Sequence, residues 1–214
     1  MDFNLETLLR SREELSRIGG RDVLAKARGF EIADILRGIG LYPYYCELDR
    51  NEGATAFYEG REILMLGSNN YLALTTHPEV RAAAEQAVRD LGTSMTGSRL
   101  LNGTARYHTE FEREIAAFVG KEAALVASTG YQANVGLLSA LLGPDAVAVM
   151  DRYCHASLVD GCRVAGARIA YFRHNDAHDL DRVLRELRED TPALVVVDGV
   201  YSMEGDIADL PAIV

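Results

Sequence analysis

Lysine is nearly missing from this chain. Of its 22 basic residues only Lys26 and Lys121 are lysines, and the rest are scattered arginines. With a formal net charge of -10, there is no clustered basic surface to neutralise phosphates, which argues against a nucleic-acid partner. Cysteine is sparse too. Cys46, Cys154 and Cys162 form no paired framework, so a reducing compartment is expected. No apolar run approaches the ~18 residues that span a bilayer, so no transmembrane segment is expected. The opening stretch Met1-Asp-Phe-Asn-Leu-Glu6 has neither a basic n-region nor an apolar h-region. No signal peptide is therefore expected, and the chain reads as cytoplasmic. Two motifs are also missing. Without G-x-G-x-x-G the usual dinucleotide fold is not supported, and without G-x-S-x-G there is no nucleophile elbow for a serine hydrolase.

What is present is an apolar α/β pattern. The 214 residues are 48% hydrophobic, enough for one large domain, or one domain with an arm. Residues 3–37 carry leucines and isoleucines at helical spacing and read as an N-terminal helical arm. Ala56–Tyr58 and Ile63–Leu66 flank Glu59-Gly60-Arg61 and predict a hairpin with a glycine turn. The arm and hairpin are assigned to residues 1–60, and a larger domain to residues 61–214. Pro78 suits the first turn of a helix reaching about Leu91. Residues 93–104, rich in Gly, Ser and Thr, read as a loop, and Phe111, Ile115 and Phe118 mark a further helix. Strands over 123–127, 146–150, 168–172 and 193–197 then alternate with helices over 131–142, 157–165 and 178–189. That alternation predicts a mainly parallel sheet with flanking helices.

Ligands of open α/β sheets sit beyond the carboxyl ends of the strands, and three segments fall there. Thr129-Gly130-Tyr131 opens a helix, where free N–H groups can bind phosphate. Alone it reads better as an ordinary strand-to-helix turn with a Ser/Thr cap. His155 follows strand 146–150; an imidazole there could stack on a flat cofactor and move protons, or simply hydrogen-bond at a helix start. Asp198 and Ser202 follow strand 193–197, where they could hydrogen-bond a ring substituent or serve the turn that Gly199 and Gly205 support. Asp151, Cys154, His174 and His178 raise the question of a metal. Asn175-Asp176 reads as a helix cap that puts His174 in a loop, so no metal site is expected.

Six stretches in order resemble the α-oxoamine synthases, pyridoxal-phosphate (PLP) enzymes of aminotransferase class I/II and fold type I. They are Gly67-Ser-Asn-Asn-Tyr-Leu72, Thr96-Gly-Ser-Arg-Leu-Leu-Asn-Gly-Thr104, Ser128-Thr-Gly-Tyr-Gln-Ala-Asn134, His155-Ala-Ser-Leu-Val-Asp-Gly-Cys162, Phe172-Arg-His-Asn-Asp176 and Gly199-Val-Tyr-Ser-Met-Glu-Gly-Asp206. The likeness covers about residues 40–214 and leans toward the bacterial serine palmitoyltransferases. It implies the N-terminal part of a PLP-binding large domain over 61–214. It puts Thr129, Gly130 and Tyr131 on the cofactor phosphate and His155 on the pyridine ring, where it also helps orient the substrate. Ser202 is implied near the ring hydroxyl, Asp198 at the acidic position before it, and Asn69 near the substrate carboxylate. The Thr96–Thr104 loop is implied near a homodimer interface.

The activity so implied is a decarboxylating condensation of an amino acid with an acyl-CoA. Serine with a long-chain acyl-CoA is the first expectation, and 8-amino-7-oxononanoate synthase and glycine C-acetyltransferase are the alternatives. The family's Schiff-base lysine, its pyridine-nitrogen aspartate and its carboxylate-binding arginine all fall later in the sequence than this chain reaches. Lys121 follows Gly120 in a helix-to-strand link and Lys26 lies in the arm, so neither matches that lysine. The 214 residues alone are therefore expected to be inactive. A reading of another class, an incomplete fragment or a dimerising partner subunit, stays open.

Overall fold

The computed structural model describes residues 24–28 and 30–214. These divide into two compact units, one through Ser94 and one from Met95 to Val214. Of the expected arm, α1 (Ala25–Arg28) and α2 (Ile32–Gly38) are helical; residues 1–23 and 29 lie outside the described set. A three-stranded antiparallel sheet follows, β1 (Arg50–Glu52), β2 (Thr55–Tyr58) and β3 (Arg61–Leu64). The expected hairpin is its second half. Tyr58 pairs with Arg61, leaving Glu59 and Gly60 as a two-residue turn with φ of 50° and 73°, the positive pair that a type I′ turn demands. Its first strand was not legible, because Arg50-Asn-Glu52 is polar and exposed. Helix α3 (Pro78–Leu91) starts on its proline as expected and ends at Gly92, φ 78°.

In the second unit α4 (Arg106–Phe118) comes first, and α5 (Gly130–Leu141), α6 (Ala156–Ala165) and α7 (Ala177–Arg185) flank a parallel sheet. Its strands are β4 (Val147–Asp151), β5 (Arg168–Phe172) and β6 (Ala193–Val196), in the order β5-β4-β6. Both pairings are parallel. β4 is buried at every position, as a central parallel strand covered on both faces must be. Its side chains alternate. Ala148 and Met150 pack with Leu138 of α5 and with Leu158 and Cys162 of α6. Val147 and Val149 pack with Phe172 and with Leu180 and Val183 of α7. The result is helix, sheet, helix, with every strand's carboxyl end on one edge. A short hairpin, β7 (Val200–Tyr201) with β8 (Asp206–Ile207), and α8 (Leu210–Ile213) complete the unit.

Two expectations are corrected. Residues 123–127 form no ladder with any described strand. A strand needs a neighbour, and the Val126 N–H instead donates to the Glu112 carboxylate at 2.9 Å, while Leu125 stays 83% exposed. Helix 178–189 stops at Arg185. Leu187 turns back to Leu184 and Thr191 to Arg188, and Pro192 disfavours a helical Thr191.

Helices α5 and α6 cross with little room at Gly161. A Cβ there would meet the Leu138 Cβ at 3.0 Å, its Cδ1 at 3.1 Å and the Asn134 carbonyl oxygen at 3.2 Å. Leu138 is a core residue and Asn134 offers backbone, so neither yields cheaply. Gly161→Ala gains about 1 kcal/mol of helix propensity and loses about 1–3 kcal/mol to overpacking. A net loss of about 1 kcal/mol is expected, read as a lower urea midpoint at unchanged slope; a raised midpoint would contradict it.

Candidate active site

The first turns of α5 and α6 lie side by side because two side chains tie them. The Tyr131 hydroxyl donates to Asp160 Oδ2 at 2.6 Å and Asn134 Nδ2 donates to Ser157 Oγ at 2.9 Å. The first of these bonds raises the Tyr131 pKa and lowers that of Asp160. Thr129 caps α5 by accepting from the Gln132 N–H at 3.1 Å. Gly130 and Tyr131 open the helix ahead of that bond, where N–H groups have no intrahelical acceptor. Gly130 has open space about its Cα, so an anion could approach the backbone closely.

His155 caps α6. Its Nδ1 accepts the Ser157 N–H at 3.2 Å and lies 2.7 Å from Ser157 Oγ. A backbone N–H can only donate, so Nδ1 is the bare nitrogen. Ser157 Oγ accepts from Asn134 and, facing that bare nitrogen, turns its own hydrogen toward Nδ1. The proton of the neutral ring therefore sits on Nε2, which the exposed imidazole presents outward as a donor. The His155 backbone N–H donates to Asp198 Oδ2 at 2.7 Å. This bond joins the loop after β4 to the loop after β6.

Cys154, beside His155, is no nucleophile. Its thiol contacts the Val196 carbonyl at 3.4 Å. Burial first, then the charges of Asp198 and Asp151, push its pKa up to about 12, and the thiolate is the reactive form.

Thus Thr129–Tyr131, His155 and Asp198 lie at one edge of the sheet. Ser202 follows buried Tyr201 in the β7–β8 hairpin and is exposed. Asn69 belongs to the other compact unit; it is exposed, with the Tyr71 hydroxyl 3.5 Å from its Oδ1. Asn70 beside it does the structural work, bonding Gly53, Ser68 and Thr75. Sequence reasoning missed Asn134 and Ser157 as the pair that fixes the His155 tautomer. The signal was there in a serine two residues after a helix-capping histidine. Among the described residues no three His, Cys, Asp or Glu side chains gather as a metal site. His174, weighed above for that role, has a carboxylate at each ring nitrogen, Asp151 and Asp206.

The family model for aminotransferase class I and II matches residues 61–214. The chain belongs to that family. It is 40% identical over 185 residues to a serine palmitoyltransferase of Sphingobacterium spiritivorum, covering 86% of this chain and 46% of that protein. It is 46% identical over 179 residues to an 8-amino-7-oxononanoate synthase of Geobacter sulfurreducens, covering 84% and 46%. Among solved structures, a serine palmitoyltransferase variant from S. paucimobilis with a bound PLP–myriocin aldimine superposes with a TM-score of 0.85 at 39% identity, over 90% of this chain and 49% of that one. As an aminotransferase class I/II chain with that likeness, it has the α/β architecture of the N-terminal part of fold type I. It spans about half the length of the relatives it matches. Among the described residues no helix is long and apolar enough to cross a membrane.

Proposed function

We propose that this chain supplies the phosphate- and ring-facing side of a PLP site in an enzyme that condenses an amino acid with an acyl-CoA and releases carbon dioxide. Serine and a long-chain acyl-CoA are the proposed substrates. The carrying observation is His155. Its ring is exposed, its Nε2–H is fixed as a donor, and it is tied beside a helix start with unspent N–H groups. The donor set suits the cofactor. The Gly130 and Tyr131 N–H groups would hold phosphate at a helix start, and the His155 face would cover a flat ring. PLP, when bound, supplies the electron sink for a carbanion at the substrate Cα. His155 Nε2–H can hydrogen-bond an anionic oxygen of the substrate and hold it in place. Asp198 anchors the His155 backbone with one oxygen. Ser202 is assigned to the ring hydroxyl and Asn69 to the substrate carboxylate. We further propose a cytoplasmic homodimer with the Thr96–Thr104 loop at its interface; Leu100 and Leu101 on that loop are 91% and 83% exposed, which supports it.

A second reading, alanine with a pimeloyl thioester, has support in the 46% identity to an 8-amino-7-oxononanoate synthase. Release of the CoA thiol by the complete protein, with PLP, separates the two. Serine with palmitoyl-CoA is expected to give the highest kcat/KM. Preference for alanine with pimeloyl-CoA would select the second reading. No release with either pair, or with glycine and acetyl-CoA, would favour a non-catalytic partner subunit.

A further inference from the structure

The stretch Phe172-Arg-His-Asn-Asp176 has no assigned role, yet it joins three loops at the carboxyl edge of the sheet. His174 Nδ1 lies 3.0 and 3.2 Å from the two oxygens of Asp151, the last residue of β4. Its Nε2 lies 3.0 Å from Asp206 Oδ2, the first residue of β8. The Asp151 side chain is 1% exposed and that of His174 18%. A neutral imidazole has one N–H and one lone pair, so it would aim that lone pair at one of the two carboxylates. Only the doubly protonated ring satisfies both.

The surroundings fit a cation. The Tyr153 ring lies 4.6 Å away at 32° and the Tyr201 ring 4.6 Å away, edge-on at 87°. Aromatic rings tolerate a charged neighbour. Asn175 adds neutral bonds from the same loop. Its N–H donates to Asp151 Oδ2 at 2.8 Å and its side-chain amide to the Ile207 carbonyl at 2.9 Å, while its Oδ1 accepts the Asp209 N–H at 2.8 Å. The hairpin so held has only two ladder pairs, Val200 with Ile207 and Tyr201 with Asp206. A ribbon that short does not stand alone.

We propose that His174 is a positioning residue acting as an imidazolium, which bolts the β7–β8 hairpin, and Ser202 with it, to the carboxyl end of β4. That Ser202 needs this placement rests on the cofactor reading above; the charge and the bolt do not. The groups facing the ring are Asp151 from β4, Tyr153 from the loop after it, Tyr201 from β7 and Asp206 from β8. Burial alone would lower the His174 pKa, but the bonds and charges of Asp151 and Asp206 outweigh it and raise the pKa above 6.5. Burial raises the Asp151 pKa, but the Asn175 and Tyr153 N–H groups and His174 outweigh it and bring it below 3.8. The Tyr201 phenol is held high, by burial first, and stays neutral. A histidine raised on folding stabilises fully below its unfolded value and loses that contribution as pH rises through the folded one. An aspartate lowered on folding does the reverse in acid. The bolt is therefore strongest between 3.8 and 6.5.

Histidine-selective ¹H–¹⁵N spectra of the protein from about pH 5 to about 9, recorded with amide exchange of the hairpin, test this without cofactor. Expected are two protonated ring nitrogens on His174 at pH 6.5, and exchange at Tyr201 and Asp206, taken relative to the intrinsic amide rate at each pH, rising roughly tenfold as the ring loses its proton. Asp206→Asn should lower the titration midpoint and speed that exchange at fixed pH. A single protonated nitrogen at pH 6.5, or hairpin exchange that follows the intrinsic amide rate with no extra change across the titration, would overturn the proposal. Should the variant not fold, the unmodified protein's titration decides alone. A failure of PLP to bind would count against the cofactor site and leave this result standing.

Discussion

Asp151→Ala is expected to cost about 3–5 kcal/mol of stability, the scale for removing one partner of a buried charge pair. Asp151 is buried. Its carboxylate accepts the backbone N–H groups of Tyr153 and Asn175, each at 2.8 Å, besides bonding His174. Truncation takes the acceptor from two part-buried N–H groups and leaves the imidazole to Asp206. Asp151→Asn keeps one acceptor oxygen and should cost about 1–3 kcal/mol. The urea midpoint measures both. Because folding lowers the Asp151 pKa, its contribution is present above the unfolded value and fades as pH falls through the folded one. The gap between Asp151→Ala and the unmodified protein should therefore narrow in acid. A cost under about 1 kcal/mol near neutral pH would mean the loop is held by other contacts.

His155→Ala in the complete enzyme is expected to lower turnover ~10²–10⁴-fold, if proton transfer contributes as well as stacking. Cofactor retention should fall less, because the phosphate contacts and the lysine expected elsewhere in the protein remain. His155→Phe separates the two roles, since it keeps a ring and removes both nitrogens. The geometry favours a donor role for Nε2–H, because Ser157 and Asn134 occupy the Nδ1 side. Full turnover in His155→Phe would leave stacking as the whole role. Full turnover in both variants would reduce His155 to a helix-capping residue.

The parallel sheet was legible because β4, β5 and β6 are short apolar runs between helical periods, bounded by Gly and Pro. Pro78 and Gly92 likewise marked α3 at both ends. The stretch 123–127 misled for a physical reason. Its apolar sequence is that of a strand, but a ladder depends on what lies beside it, and a sequence pattern does not report neighbours. At the site, His155 and Asp198 stood out by falling just past strand ends. Thr129–Tyr131 reads as following strand 123–127, which forms no ladder with any described strand, and it meets the α6 start through the Tyr131–Asp160 and Asn134–Ser157 bonds instead. The Asn134–Ser157 pair and the His174 bolt did not stand out. Both are made by hydrogen bonds between residues 23 or more positions apart; only the serine two residues after His155 left a local trace of the first.

The α5 start and His155 are proposed to form one cofactor half-site. A crystal structure of the complete protein grown with PLP tests it most directly. The phosphate is expected within hydrogen-bond distance of the Gly130 and Tyr131 N–H groups, and the pyridine ring stacked on the His155 imidazole. A phosphate bound elsewhere, or a ring on the far side of the sheet from His155, would contradict it.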